Sequence, residues 1–232
     1  MKQTMKTAVS VCMAASLLTG ALGTLSVGAA NDDRVRVVVK NEQFSVADGA
    51  AWDGVLIDEW VALGDSDSME SVVEKAITAK NYALTISAYD YISSVNGLEE
   101  KANNGSGGWM MALNDWFTTE AAAAYTVENG GLSAGDEIVM QYTNSWGADI
   151  GSLYGDLNTS LSALTAENAV LTEAFSPSVT GYTLLIPGEE AAVRVIPTAY
   201  NKNYQVRLYR GAYQPTVDGA ELKKSQAIPV KD

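Results

Sequence analysis

Hydrophobic and polar positions divide the chain into stretches of different texture. From Thr7 to Ala30 there is no charged residue, and Val9, Val11, Met13, Leu17, Leu18, Leu22 and Leu25 form an apolar run behind Lys2 and Lys6. Small residues close the run at Val27-Gly28-Ala29-Ala30, and Asn31-Asp32-Asp33 follows. A basic start, an apolar middle and a small-residue end predict a secretory signal peptide over residues 1–30, cleaved after Ala29 or Ala30. The run is also long enough for an uncleaved anchor helix. Its glycines and the acids just downstream favour cleavage.

The next stretch mixes two periods. Arg34 to Lys40 is β-branched and predicts a first strand. Ala51 to Leu63 is apolar but aperiodic and is placed as a second strand or a hairpin. Met69, Val72, Val73, Ala76 and Ile77 recur at helical spacing and predict one buried helix face. Asp67 as N-cap with Glu70 three residues on reads as the capping-box start of that helix. Asp65-Ser66-Asp67-Ser68-Met69-Glu70 has some look of a calcium loop, but Met69 falls where an oxygen ligand is needed. Tyr82 to Leu98 alternates like strands and carries an Asn96-Gly97 turn. Trp109 to Leu113 and Trp116 to Thr118 flank an Asn114-Asp115 hairpin turn, and Ile138 to Tyr142 is a further strand. Glu120 to Tyr125 is a short helix or a packed crossing segment. These elements make an α+β domain.

Asn144 to Asp156, rich in Gly, Ser and Asp, is a junction. After it, Leu161 to Leu164, Tyr182 to Pro187, Ala192 to Pro197 and Tyr204 to Tyr209 are short apolar runs between Pro and Gly turns, the pattern of an all-β sandwich. Pro187 and Pro197 are expected at strand ends, where a missing donor does least harm.

Charge and composition narrow the chemistry. The 232 residues carry 15 Lys and Arg against 28 Asp and Glu, a net charge of −13, so nucleic acid is not an expected partner. There is no histidine, and the one cysteine, Cys12, lies in the leader. A Ser-His-Asp triad, a cysteine nucleophile in the mature chain and a zinc site of the usual type are excluded. Carboxylate chemistry and hard-cation binding remain open, but no acid pair stands out as a glycosidase couple, and a non-enzyme is expected.

The candidate site is the stretch from Gly105 to Phe117. In one reading Trp109, Met111 and Leu113 alternate inward and fill the core. In the other, Trp109 and Trp116 stay partly exposed beside Gly105, Gly107 and Gly108 and offer an aromatic platform to a flat ligand, a sugar ring or a protein partner.

Tyr91 to Leu98, Gly107-Gly108-Trp109-Met110, Tyr125-Thr126-Val127 and Gly135-Asp136-Glu137-Ile138 follow one another as in the transcobalamin-like C-terminal domain family, which this chain resembles over roughly Val35 to Tyr142. The resemblance implies a β-grasp-like domain with one main helix, and a ligand face near the Val95-Asn96-Gly97 turn and Trp109. It brings cobalamin or a related corrinoid as the one cofactor to consider. The related carriers hold it with a separate helical barrel that has no counterpart here, so no cofactor is expected. Leu161 to Thr165, Leu171 to Pro177, Val179 to Thr183 and Val195 to Ala199 resemble the cadherin-like β-sandwich repeat of bacterial surface proteins. The acidic linker motifs that bring calcium to true cadherins are missing.

The resulting expectation is an α+β, mostly β chain. A signal peptide spans 1–30, a β-grasp-like domain 31–145 and a linker 146–156. A β-sandwich (Ig-like) domain spans 157–232 and is incomplete at its C-terminus, where a further strand would follow. The expected function is a secreted or cell-wall-associated, non-catalytic module that binds a small molecule, glycan or surface protein through its first domain, with the sandwich as spacer. Asn96, Gly97, Trp109 and Trp116 are the ligand-binding candidates, and no metal or membrane insertion of the mature chain is expected. A purely structural or adhesive segment of a larger surface protein is the alternative.

Overall fold

The structure is a computed structural model that describes residues 33–88, 90–188, 192–209, 221–222 and 228–229; the leader expected at 1–30 lies outside them. Strand β1 (Arg34–Asn41) and strand β2 (Gly54–Ala62) form an antiparallel hairpin with a register shift between Val39 and Lys40. Helix α1 (Met69–Ala79) then crosses one face. Strands β3 (Leu84–Ile86), β4 (Ile92–Val95) and β5 (Leu98–Glu99) make a small antiparallel sheet. A second hairpin, β6 (Gly108–Leu113) and β7 (Trp116–Phe117), is followed by β8 (Glu137–Thr143).

The main sheet has the order β2-β1-β8-β6-β7. Strand β8 runs parallel to β1 and antiparallel to β6, so the first and last strands lie side by side between two hairpins. With one helix packed across it, this is the β-grasp arrangement. Val35, Val37 and Val39 of β1, Ile138, Met140 and Tyr142 of β8, and Met69, Val72, Val73, Ala76 and Ile77 of α1 are all buried together. Alternation on the strands and helical spacing on α1 aim these side chains at one another. Burying each large apolar side chain contributes roughly 1.5–3 kcal/mol.

The helix starts one residue later than its sequence suggests. Ser68, not Asp67, is the N-cap: its hydroxyl accepts from the Ser71 amide at 3.1 Å, and Ser71 Oγ accepts from the Ser68 amide at 3.0 Å. Asp67 has other partners. Its carboxylate, 5% exposed, accepts from the Gly64 amide at 2.7 Å, from Ser71 Oγ at 3.0 Å and from Lys75 Nζ. Lys75 lies two helical turns on, so a capping template cannot see it. Burial pushes the Asp67 carboxyl up, but the hydrogen bonds from Lys75, Gly64 and Ser71 outweigh it and hold the group below the ordinary carboxylate range.

After residue 157 the regular elements among the described residues are all strands. Strands β9 (Leu161–Glu167), β10 (Val170–Leu171), β11 (Leu184–Leu185), β12 (Ala192–Ala199), β13 (Leu208–Tyr209), β14 (Glu221–Leu222) and β15 (Ile228–Pro229) form a three-stranded sheet β15-β12-β9 and the ribbons β10-β11 and β13-β14. Pro197 lies within β12 rather than at its end, paired with Leu164.

The segment 146–156 is bonded on both sides. Asn201, 1% exposed, donates through Nδ2 to the carbonyls of Leu153 and Asp156 and accepts at Oδ1 from the amides of Leu153 and Asn203. Lys202 donates its amide to Gly151 O, accepts at its carbonyl from the Phe117 amide, and places Nζ 2.8 Å from Asp115. Ile150 packs on Ala112 and Phe117, covering the outer face of the second hairpin.

Candidate functional site

The parallel pairing of β1 and β8 sets Lys40 opposite Gln141. Parallel strands leave a sheet at the same edge, so Gln43 and Asn144, each three residues further on, emerge side by side. Strand β6 begins at that edge too, with Gly108 opposite Thr143, which delivers the loop 101–107 to the same place. The three segments enclose an open cleft of about 430 Å³ lined by Gln43, Phe44, Asp48, Gly49, Ala102, Asn103 and Asn144.

Each wall is fixed by its own hydrogen bonds. On the β1–β2 side, buried Asn41 donates to Phe44 O at 2.6 Å and Trp52 O at 2.7 Å and accepts from the Phe44 amide at 3.0 Å, holding Phe44 at the base. Ser45 caps the 3-10 turn Val46–Asp48, and Gly49 leaves it at φ +108°. On the other side, Asn103 Nδ2 donates to Asn144 Oδ1, and Asn144 Nδ2 donates to Gln43 O, so one amide chain ties the three segments together. Asn104 Nδ2 donates to Asn144 O at 3.3 Å. Gly107 must be glycine: a Cβ there would meet Asn103 Oδ1 and come within 2.6 Å of Tyr142 Oη. Tyr142 Oη accepts from the Ala102 amide at 3.2 Å and donates to Glu99 O at 3.1 Å, and burial pushes this phenol up, so it stays protonated.

An aromatic row runs inward from the base of the cleft. Phe44 stacks on Tyr142 at 6.2 Å, Tyr142 meets Trp109 edge-on at 5.3 Å, and Trp109 stacks on Trp52 at 5.7 Å. The only ionisable side chain in the lining is Asp48, whose carboxylate accepts from Ser45 Oγ. Side-chain amides supply both donors and acceptors, and Gln43 has no hydrogen bond from its side chain to another described residue. Such a cleft suits an uncharged ligand rich in hydrogen-bonding groups. Among the described residues no three acids or other ligating side chains gather around a common point that could hold a metal ion.

Of the residues singled out in the sequence, Trp109 is 4% exposed. Its Nε1 donates to Leu98 O at 3.1 Å, while Trp52 Nε1 donates to Val95 O at 3.0 Å. The two indoles therefore clasp the hairpin that carries Asn96 and Gly97, which turn at φ +47° and +85°. The core reading of Trp109 describes its position: it presents no platform to solvent and lies two rings behind the cleft. Trp116 is elsewhere, edge-on to Tyr125 at 6.0 Å and donating through Nε1 to Asn203 O at 3.2 Å. It spans the junction to the second region.

Residues 67–144 match the family model of a domain of unknown function (DUF4430). The match starts at the aspartate before α1 and ends on Asn144, so it takes in one wall of the cleft and leaves the β1–β2 wall outside. A search of curated proteins gives no match. No cadherin-like repeat is identified over residues 157–232, where that resemblance was placed.

Sequence reasoning passed over Gln43, Phe44, Asn103 and Asn144. The Asn103-Asn104-Gly105-Ser106 run reads as a polar loop, and Asn144 as the start of a junction. One more residue stands out, two positions beyond Asn144. Trp146 is 72% exposed and sits at φ +51°, with its amide donating to Ser106 O at 3.2 Å.

Proposed function

We propose that this chain is a secreted, non-catalytic binding module whose β-grasp region holds an uncharged, hydrogen-bonding ligand in the amide-lined cleft, with the β-rich region after residue 157 as spacer. The observation that carries this reading is the Gln43–Asn144–Asn103 amide chain on the edge where β1 and β8 leave the sheet together. Convergent amides above an aromatic base, in a concave space of ligand size, are the features of a recognition site. The single carboxylate in the lining has no nucleophile or base partner beyond Ser45, which favours binding over chemistry. The transcobalamin-like resemblance supports a ligand-capping ancestry for the domain. The site proposed for this chain is nevertheless the amide-lined cleft and not the Asn96-Gly97 turn.

The test is a titration of the secreted chain with uncharged probes of three classes, oligosaccharides, nucleosides and blocked dipeptide amides, followed through the side-chain NH2 cross-peaks of Asn103 and Asn144. At least one class is expected to shift both pairs saturably, and Asn144→Ala to abolish the shift at Asn103. Unmoved amides with all three classes would remove the cleft from consideration.

A further inference from the structure

Trp146 is the most exposed tryptophan among the described residues, and its place in the fold is not that of an incidental surface ring. It follows Asn144, a lining residue of the cleft, by two positions, and its backbone amide donates to Ser106 O in the 101–107 loop, which forms the same wall as Asn144. A bulky side chain at φ +51° is strained, a conformation most residues avoid and one that persists only where the surroundings fix it. They do fix it. The Asp149 carboxylate accepts from Thr143 Oγ1 and from the Asn144 amide, and Thr143 Oγ1 accepts from the Ser145 and Gly147 amides at 3.1 and 2.8 Å. Gly147 follows at φ +90°, and a Cβ there would come within 2.6 Å of Met110 Sδ. The loop thus fixes a solvent-exposed indole two residues beyond a lining residue of the polar cleft.

We propose that Trp146 is the stacking platform of a glycan site, and that the ligand is a chain of equatorially substituted, β-1,4-linked sugars. The inference rests on the cleft reading above and adds the ligand class. Such a sugar has two kinds of surface. Its hydroxyl rim needs donors and acceptors, which the Gln43 side chain and the remaining hydrogen-bonding positions of the Asn103 and Asn144 amides offer. Its flat C–H face needs an apolar ring, which the exposed indole offers. The absence of any cation from the cleft lining is in keeping with a neutral ligand, and Asp48 can accept from a hydroxyl.

Cellohexaose and chitohexaose serve as probes, read by the Trp146 indole N–H cross-peak together with the Asn103 and Asn144 amides, and by calorimetry. Trp146→Gly removes the ring and relieves the left-handed backbone, so its melting temperature is expected to be equal to or above that of the parent. Its affinity for the hexasaccharide is expected to fall about 10-fold or more, the loss of one ring contact, with Trp146→Phe recovering part of it. Hexasaccharide binding that survives Trp146→Gly unchanged but is lost in Asn144→Ala overturns the platform and leaves the cleft standing. No hexasaccharide binding at all also overturns it. A nucleoside or dipeptide amide that still moves the Asn103 and Asn144 peaks would then keep the cleft reading alive, and silence from every probe would end both.

Discussion

Asp67 shows how one residue can serve three segments. It ties the turn at Gly64 to the first two turns of α1, and its own carbonyl accepts from the Val127 amide. The depressed carboxyl has a defined consequence. A group whose folded pKa lies below its unfolded value stabilises the fold above the unfolded value of about 3.9, and that contribution is lost as pH falls through the folded pKa. Asp67→Asn is therefore expected to cost about 1–3 kcal/mol at pH 7, the range for breaking a buried charge-assisted set of bonds. The gap between parent and variant, measured by urea denaturation, should narrow as the pH is taken below about 4. An equal gap at pH 7 and at acid pH would show that the carboxylate's charge is irrelevant to the fold.

At the scale of elements, the helix, its buried face, the first strand and the two tight turns were legible in the sequence, because each is set by local pattern. Asn114 and Asp115 turn at φ +51° and +68°, as their residue types imply. The β2 boundaries were not legible, since Ala51 to Leu63 has no clean period and within β2 exposed and half-buried positions are mixed irregularly, with only Ile57 buried. The cleft was hidden for a different reason. Gln43, Asn103 and Asn144 are far apart in the chain, and only the parallel pairing of β1 with β8 brings them to one edge; no local pattern encodes that pairing. The tryptophans drew attention because they are conspicuous, yet Trp109 is conspicuous as a core residue. The glycine run was read as room for a ligand, whereas Gly107 makes room for Tyr142 and Asn103. Gly107→Ala is expected to displace the 101–107 loop at a cost of about 1–3 kcal/mol and to shift the Asn144 NH2 peaks. Parent-like melting with unmoved peaks would mean the loop accommodates the methyl group.

Over the whole molecule, the contacts of residues 201–203 make the junction a joint with fixed geometry. Asn201 satisfies four backbone groups from a nearly inaccessible position, and Lys202 and Asn203 reach Asp115, Phe117 and Trp116 on the second hairpin. Removing the Asn201 amide leaves several buried groups without partners. Asn201→Ala is expected to lose about 1–3 kcal/mol and to split a single calorimetric unfolding transition into two as the grasp and the β-rich region lose their coupling. A single transition at the parent temperature would count against a coupled joint. The aromatic row behind the cleft has an optical consequence. Trp109 is a buried indole in ring contact with Tyr142 and with half-buried Trp52, and Tyr142 in turn contacts Phe44, whereas Trp146 faces water. Among the five tryptophans, Trp109 behind the cleft is expected to emit at the blue end and Trp146 at the red, acrylamide-quenchable end. Filling the cleft should be visible as selective protection of the red component, with no label attached.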